Sequence, residues 1–390
     1  MEICNKNLCT GCGMCTNICP KQAIEMQEGT HDFLFPVING FLCNGCGLCQ
    51  RKCPANQKLV TAKNTQQVYA AWNKNSKIRK RSTSGGVFSL LAESVLSHGG
   101  FIAGVKWTDN FNAEHCMIDK AVDLPLLNGS KYVQSNTVDI YLKVKSALDD
   151  GRKVLFSGTP CQNHALKMFL GKEYNSLYQI DLVCHGVPSY EMLKRYLSEC
   201  SNNGQKTVSN VQFRYKNPYW DYCCVRVDFK DGTHYKKDTV DDSYFTIFNI
   251  GYSLRDRCRE CKYTSTHRYG DITLADFWGY RPDNFKMRDF NKGTSLVLIN
   301  SEKGQFLYDS IDENLICEKS TIDQAIKGNK ALKTPFSPPQ NDVNDFWIDY
   351  ENGMTVDALC KKYVPNPFIL PNLLWLRRLK AKYFGVIKKR

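Results

Sequence analysis

The chain has no long apolar run. None of its 390 residues falls in a stretch approaching 18 consecutive apolar side chains, so no membrane-spanning helix is expected. Its opening lacks a basic segment followed by an apolar one, so no secretory leader is expected either. The glycine fingerprint of a dinucleotide-binding Rossmann crossover is missing. Acid is missing from the carboxy-terminal segment: residues 361–390 carry nine Lys or Arg and no Asp or Glu. The formal net charge of +13 is therefore mostly a property of that tail, because the other 360 residues carry only +4. So small an excess over the body of the chain is no footprint of a nucleic-acid-binding protein.

What the chain has in abundance is cysteine, 19 residues of it. Cysteine wealth without a leader points to metal in a reducing cytoplasm rather than to disulfides. Cys9-Thr-Gly-Cys12-Gly-Met-Cys15-Thr-Asn-Ile-Cys19-Pro20 is repeated 34 residues later as Cys43-Asn-Gly-Cys46-Gly-Leu-Cys49-Gln-Arg-Lys-Cys53-Pro54. Both copies read C-x2-C-x2-C-x3-C-P, the bacterial ferredoxin spacing for [4Fe–4S] clusters. Three thiolates two residues apart come from one tight loop and reach three corners of one cube. Gly11, Gly13, Gly45 and Gly47 let the loops wrap, since glycine tolerates positive φ. The fourth cysteine lies beyond its loop and reaches the other cluster. One cluster is thus expected on Cys9, Cys12, Cys15 and Cys53, and the second on Cys43, Cys46, Cys49 and Cys19. The repetition weighs against zinc and disulfides. Ile24, Phe35, Val37 and Ile38 are the expected small core of this module, residues 1–58, and Cys4 reads as a free thiol outside the pattern.

A polar linker is expected over 59–68, then a strand from Tyr69. A basic loop (Lys74, Lys77, Arg79, Lys80, Arg81) runs into Ser82-Thr83-Ser84-Gly85-Gly86 and a helix with Val87, Phe88, Leu90, Leu91, Val95 and Leu96 on helical spacing. A helix start with Ser and Gly suits a phosphate; the alternative is an ordinary cap beside solvated lysines. Strands are expected at 101–107, 153–157 and 178–183, with a looser region between the first two. The last two strands run directly into Gly158-Thr159-Pro160-Cys161-Gln162 and Cys184-His185-Gly186, and the first of these loops opens a helix. Such alternation predicts an α/β core with its chemistry at strand ends. Residues 207–237 read as antiparallel β, 242–254 as helix and 294–300 as strand, with regular structure weakening after Pro335.

Cys161, Cys184, Cys258 and Cys261 form a second constellation. Their number suits a third cluster, a zinc site, or thiols that never meet. The remaining cysteines, Cys223 among them, lack comparable spacing and read as structural thiols. His185 suits a ligand, a base or a hydrogen-bonded structural histidine.

The segments Ser82–Gly86, Lys131-Tyr132-Val133-Gln134-Ser135, Gly158–Gln162, Cys184–Gly186, Arg257-Cys258-Arg-Glu-Cys261 and Gly270-Asp-Ile-Thr-Leu-Ala-Asp276-Phe-Trp-Gly279 occur in an order seen in one family. Over residues 1–335 the chain resembles the coenzyme F420 hydrogenase/dehydrogenase beta subunit family, with a fused two-cluster ferredoxin module. The resemblance implies one FAD with a third [4Fe–4S] cluster beside it. It implies flavin contacts at Ser84, Gly85 and Gly86, at Lys131, Tyr132, Gln134 and Ser135, and at Gly158, Thr159 and Pro160. The expected fold class is α+β: a bacterial ferredoxin-like domain, then an α/β catalytic domain with a mixed sheet in two parts, 69–150 and 151–335, then a basic tail, 336–390.

The function this implies is an FAD-dependent iron–sulfur oxidoreductase. It would pass electrons between a small-molecule hydride donor or acceptor, coenzyme F420 or another organic substrate, and a ferredoxin or redox partner protein. The alternatives are a non-catalytic electron-transfer subunit, in many bacteria a companion of cell-envelope polysaccharide synthesis, and an iron–sulfur assembly or sensing protein. The expected location is the cytoplasm. In the tail, Leu373, Leu374, Leu376, Leu379 and Phe384 interleave with Arg377, Arg378, Lys380 and Lys382, which suits either peripheral contact with the inner membrane face or a helix packed on the catalytic domain.

Overall fold

The computed structural model describes residues 2–59, 66–217, 219–221, 223–283 and 287–364. The amino-terminal module pairs β1 (Ile24–Glu28) with β2 (Leu34–Ile38) as an antiparallel ribbon, and each cysteine loop enters a five-residue helix, Met14–Ile18 and Leu48–Lys52. Its expected core is corrected in one place. Val37 faces solvent, and Phe33 is the buried aromatic, packed edge-on against Trp347.

The catalytic part is built on one eight-stranded sheet. Its strands are β3 (Gln67–Asn73), β4 (Phe101–Trp107), β5 (Ala113–Ile118), β6 (Val154–Gly158) and β7 (Leu177–Leu182). A separate three-stranded antiparallel sheet follows, of β8 (Val208–Tyr215), β9 (Cys224–Phe229) and β10 (His234–Asp238). The chain then returns to the large sheet with β11 (Ile272–Asp276), β12 (Ser295–Ile299) and β13 (Leu315–Ser320). The order is β13-β3-β12-β11-β7-β6-β4-β5, with β4, β6, β7 and β11 parallel. The sheet thus runs through both expected parts of the domain, with no break at residue 150. The parallel strands read as apolar runs because helices cover both faces. Leu90, Leu91 and Val95 of helix Val87–Ser97 pack on one face. Tyr141, Val144 and Leu166, from helices Ile140–Asp149 and Pro160–Leu170, pack on the other.

Three expectations give way. The looser region after β4 contains β5 and helix Ile140–Asp149, whose apolar residues are diluted by lysines on its outer face. The basic loop is mostly helix Ser76–Arg81, capped by Asn75. The segment after Pro335 is not tail throughout: helices Gln340–Glu351 and Val356–Tyr363 bury Phe346, Trp347, Tyr350 and Leu359 in the core around the small sheet. Phe346, Trp347 and Tyr350 stand among acids and amides, so the segment reads as polar. The tail helix expected around Leu373–Phe384 lies outside the described residues. Among those described, no helix is long and apolar enough to cross a membrane.

The amino-terminal module is not a bead on a linker. Ile3, Met14, Cys15 and Ile24 share one apolar cluster with Ala103, Tyr141, Phe156 and Leu166.

Candidate functional site

The ferredoxin pattern sorts into two small cavities. Cys9, Cys12, Cys15 and Cys53 line one, and Cys19, Cys43, Cys46 and Cys49 line the other. These are the crossed sets that the spacing implies. Cys4 also lines the first cavity. Its hydrogen bonds to Cys9 and Cys53 lower their thiols to about 6 and about 7, with the Arg255 cation aiding Cys9.

The first loop is pressed against the catalytic part, which explains two of its glycines. Gly13 has φ +69°, and a Cβ there would lie 1.9 Å from Thr137 Oγ1; at Gly11 it would lie 2.0 Å from Gln134 Nε2. Side chains of the catalytic part hold the loop's carbonyls. Arg255 Nε donates to Cys9 O at 2.8 Å, Tyr141 Oη to Cys12 O at 2.8 Å, and Gln134 Nε2 to Gly11 O at 3.2 Å.

The carboxyl-terminal halves of β4, β6, β7 and β11 meet above the sheet around a cavity of about 770 Å³. Such an edge is where open α/β sheets bind ligands. All four cysteines of the second constellation line this cavity, together with Thr10 and Gly11 from the first cluster loop. Cys161 sits in the first turn of a helix fixed by the Thr159–Gln162 capping box. Cys184 follows β7, and Cys258 and Cys261 flank the end of helix Asp256–Arg259. Gly186 brings the second loop against the third: a Cβ there would stand 3.1 Å from Cys258 Cβ. Thr10 hydrogen-bonds Cys161. Burial pushes Cys161 up to about 12, Cys258 to about 11, and Cys184 and Cys261 upward. Thiols so placed stay protonated without a cation to favour the thiolate. No group of three or more His, Cys, Asp or Glu among the described residues could hold a single metal ion. Four thiols lining one space are a donor set that suits a [4Fe–4S] cluster, as four thiolates also suit a closed zinc site.

An ion pair buried behind the site sets these loops. Arg268 meets Asp181 at 3.0 Å, and Asp181 also accepts from Gly270 N and Thr273 Oγ1. His185 takes the structural role: its Nε2 donates to Phe248 O at 3.0 Å, and burial lowers it to about 4.

The residues expected at the flavin divide. Ser84, Gly86, Lys131, Tyr132, Gln134, Ser135, Gly158, Thr159 and Pro160 line the cavity; Gly85 does not. Gly85 is packed on Ala71 O, where a Cβ would come within 2.4 Å. Ser84 Oγ is spent on Thr294 O, and Gln134 on the first cluster loop. Of the basic residues before Ser82, Arg79 is buried over Trp72 and donates to Gly293 O and Asp289 O, while Lys74 donates to Glu313 O. These two do not reach a phosphate at the helix start. Lys131 does line the cavity, lowered by burial to about 8.

Sequence reasoning missed Arg214, Asp276 and Cys223, which line the same cavity. Cys223 has the spacing of a structural thiol, and Asp276 lies inside the Gly270–Gly279 motif with nothing local to give it a role. β8 alternates apolar and polar residues, so Arg214 beside buried Phe213 reads as an outward-facing residue and no local signal marks it.

Residues 151–325 match the family model for the C terminus of the coenzyme F420 hydrogenase/dehydrogenase beta subunit. Residues 8–57 match the 4Fe-4S dicluster domain. Residues 151–325 thus carry the C-terminal domain of the coenzyme F420 hydrogenase/dehydrogenase beta subunit family, and residues 8–57 a dicluster module. Pyruvate synthase subunit PorD of Thermotoga maritima is 62% identical over 26 residues, which are 7% of this chain and 26% of that protein. The chain thus spans about a quarter of the length of that curated relative. A chain of the F420-reducing [NiFe] hydrogenase complex of Methanosarcina barkeri, from a xenon-derivatised structure, superposes with a TM-score of 0.47 at 14% identity. That match covers 80% of this chain and 100% of the other.

Proposed function

We propose that this chain is an FAD-dependent oxidoreductase with three [4Fe–4S] clusters, which exchanges electrons between an organic hydride carrier, coenzyme F420 or a related substrate, and a redox protein. The observation that carries the reading is the cavity itself: one space touches the Ser82–Gly86 and Lys131–Ser135 loops, four converging cysteines and the first ferredoxin loop. Its volume suits a ligand of cofactor size, for which pockets run to roughly 1,000 Å³. FAD, when bound, supplies interchange between hydride and single-electron chemistry.

The chain's own residues provide the rest. Lys216 Nζ donates to Arg79 O at 2.8 Å and to Ser84 O, which pins the Ser82–Gly86 loop along the cavity wall. Tyr132 is wedged between Phe213, Phe245 and Phe248, an aromatic wall suited to a planar ring. Cys161, Cys184, Cys258 and Cys261 would hold the third cluster, and the two crossed sets would hold the others. Thr10, hydrogen-bonded to Cys161 and adjacent to Cys9, links the third cluster site to the first loop.

The second loop is where electrons would enter or leave. Cys46 is exposed there, Phe41 is 102% exposed, and Leu42 faces water. Lys21 and Arg51 are exposed beside it, and residues 33–58 contain no Asp or Glu. An apolar tip in a cationic surround suits an acidic one-electron carrier.

Full-length protein purified anaerobically should contain one FAD and about twelve irons per chain, from three four-iron clusters. Cys258→Ser with Cys261→Ser should remove about four of them, again by cluster stoichiometry. Wild type with one zinc and about eight irons, or with no flavin, overturns the corresponding part of the reading.

A further inference from the structure

At the end of β8, away from the four cysteines, the cavity wall carries a preorganised cation. Arg214 has a side chain only 6% exposed, and it lines the cavity. Nη1 donates to Asp276 Oδ2 at 2.9 Å and reaches Tyr132 Oη at 3.5 Å; Nε donates to Cys223 Sγ at 2.9 Å. The other oxygen of Asp276 accepts from Trp220 Nε1 at 2.8 Å. Trp220 stacks on Trp278, their planes 5° apart, and Trp278 lies under the guanidinium, 4.8 Å from its ring centre. The plane of the guanidinium is therefore fixed by four neighbours. Yet Nη2 is buried with no hydrogen-bond partner among the described residues.

A buried N–H without an acceptor costs roughly as much as a lost hydrogen bond, and more on a charged group. Proteins rarely leave one unless something else takes it. The charge balance says what. The charged residues lining the cavity are Lys131, Arg214, Arg257 and Lys330 against Asp221 and Asp276, four cations to two carboxylates. Both oxygens of Asp276 are already used, and Lys216 lies half-buried just behind the wall, with burial lowering it to about 7.

We propose that Arg214 is the anion-recognition residue of this cavity, its Nη2 donating to a delocalised oxyanion of the molecule bound there. Asp276, Cys223 and Trp278 are its positioning residues. They hold the fork so that binding costs little reorganisation. The oxyanion belongs either to the flavin or to a carboxylate- or enolate-bearing substrate lying against the aromatic wall. This rests on the cavity being the ligand site, but it does not require that the ligand be FAD.

The test uses full-length protein and three variants: Arg214→Gln, Arg214→Lys, and Arg214→Gln with Asp276→Asn. FAD per chain is measured by extraction, and binding of benzoate, a flat carboxylate, by calorimetry. Far-UV circular dichroism and the iron of the amino-terminal module report folding. Arg214→Lys keeps a charge for Asp276, and the double variant removes both charges together, so a folded protein remains to be read if Arg214→Gln fails to fold. If the oxyanion is the substrate's, FAD stays and benzoate binding weakens at least roughly tenfold, as expected for a lost charge-assisted hydrogen bond. If it is the flavin's, FAD content falls in the variants while the iron of the module persists. Wild type without FAD but with Arg214-dependent benzoate binding would retain this proposal and sink the flavin reading. Folded variants with wild-type FAD content and wild-type benzoate affinity overturn it, as does wild type that binds no benzoate while every variant keeps its FAD.

Discussion

The two cysteine loops share a pattern and have opposite surroundings. The first is clamped: Cys9 and Cys15 are buried, and Arg255, Tyr141 and Gln134 hold its carbonyls from the catalytic part. The second is open: Cys46 is exposed, and its carbonyl accepts from Arg51 of its own helix. Even the glycines differ. A Cβ at Gly13 collides with Thr137, whereas one at Gly47 meets only the flexible Arg51 and Gln50 side chains, at 3.1 and 3.7 Å. One spacing thus makes an inward and an outward cluster site, and the packing around each decides which is which.

The largest break in this symmetry comes from Gly13→Val set beside Gly47→Val. Both place a β-branched residue at positive φ, which costs roughly 1–2 kcal/mol of left-handed strain. Only Gly13→Val also drives the loop off Thr137, so its loss should exceed about 4 kcal/mol, the range reserved for severe core disruption. Thermal unfolding followed at the cluster absorbance should separate the two; equal losses would refute the clamp.

Arg255→Met comes next. Arg255 is 1% exposed and also donates to Leu34 O and Gln134 Oε1, both at 3.1 Å. Removing it strands buried acceptors, at about 1–3 kcal/mol each. It also takes a buried cation from beside Cys9, so the reduction potential of the inward cluster should fall while that of the outward one holds. A potentiometric titration in which both move together would count against the assignment.

Acid gives a third, smaller effect beneath the inward loop. His115 stacks on Phe156, and burial lowers it to about 4 against weak opposing contacts with the Asn136 and Ser157 backbone. The unfolded chain binds that proton near pH 6.5 and the native state does not. Stability from this group is therefore whole above about 6.5 and declines toward pH 4, by roughly 1.4 kcal/mol per unit. His115→Leu should flatten the slope of denaturant-derived stability between pH 6.5 and 5; an unchanged slope would show that other groups carry it.

The smallest effect on stability is expected at the outward loop. Phe41→Ser should alter stability by less than about 0.5 kcal/mol, as exposed substitutions do. Electron exchange with an acidic ferredoxin should nonetheless slow and depend less on apolar contact. Stopped-flow rates equal to wild type would remove Phe41 from the docking surface.

Much of this was legible in the residues. Thiolate spacing is a local constraint, so the crossed cysteine sets follow from the chain, and the apolar strands before Cys161 and Cys184 announced a site at strand ends. What could not be read was any relation between distant segments. Gln134, which the resemblance places at the flavin, lines the cavity and is also tied to Gly11, 123 residues away. Arg79 looked like part of a phosphate-binding basic loop because the loop runs into Ser82–Gly86, yet it is buried over Trp72. Phe346, Trp347 and Tyr350 looked like part of a tail because their periodicity is diluted by Asn and Asp, yet they close the core over the small sheet. Arg214 and Asp276 sit 62 residues apart, and neither alone declares an ion pair.

The central claim is that the inward loop abuts a third cluster held by Cys161, Cys184, Cys258 and Cys261. Spin integration of the EPR signal from fully reduced full-length protein tests it most directly, alongside Cys258→Ser with Cys261→Ser. The account predicts about three spins per chain in the wild type, one per reduced cluster. In the double variant it predicts about two, with narrower lines from the inward cluster once its neighbour is gone. About two spins in both proteins, with identical line shapes, would contradict it.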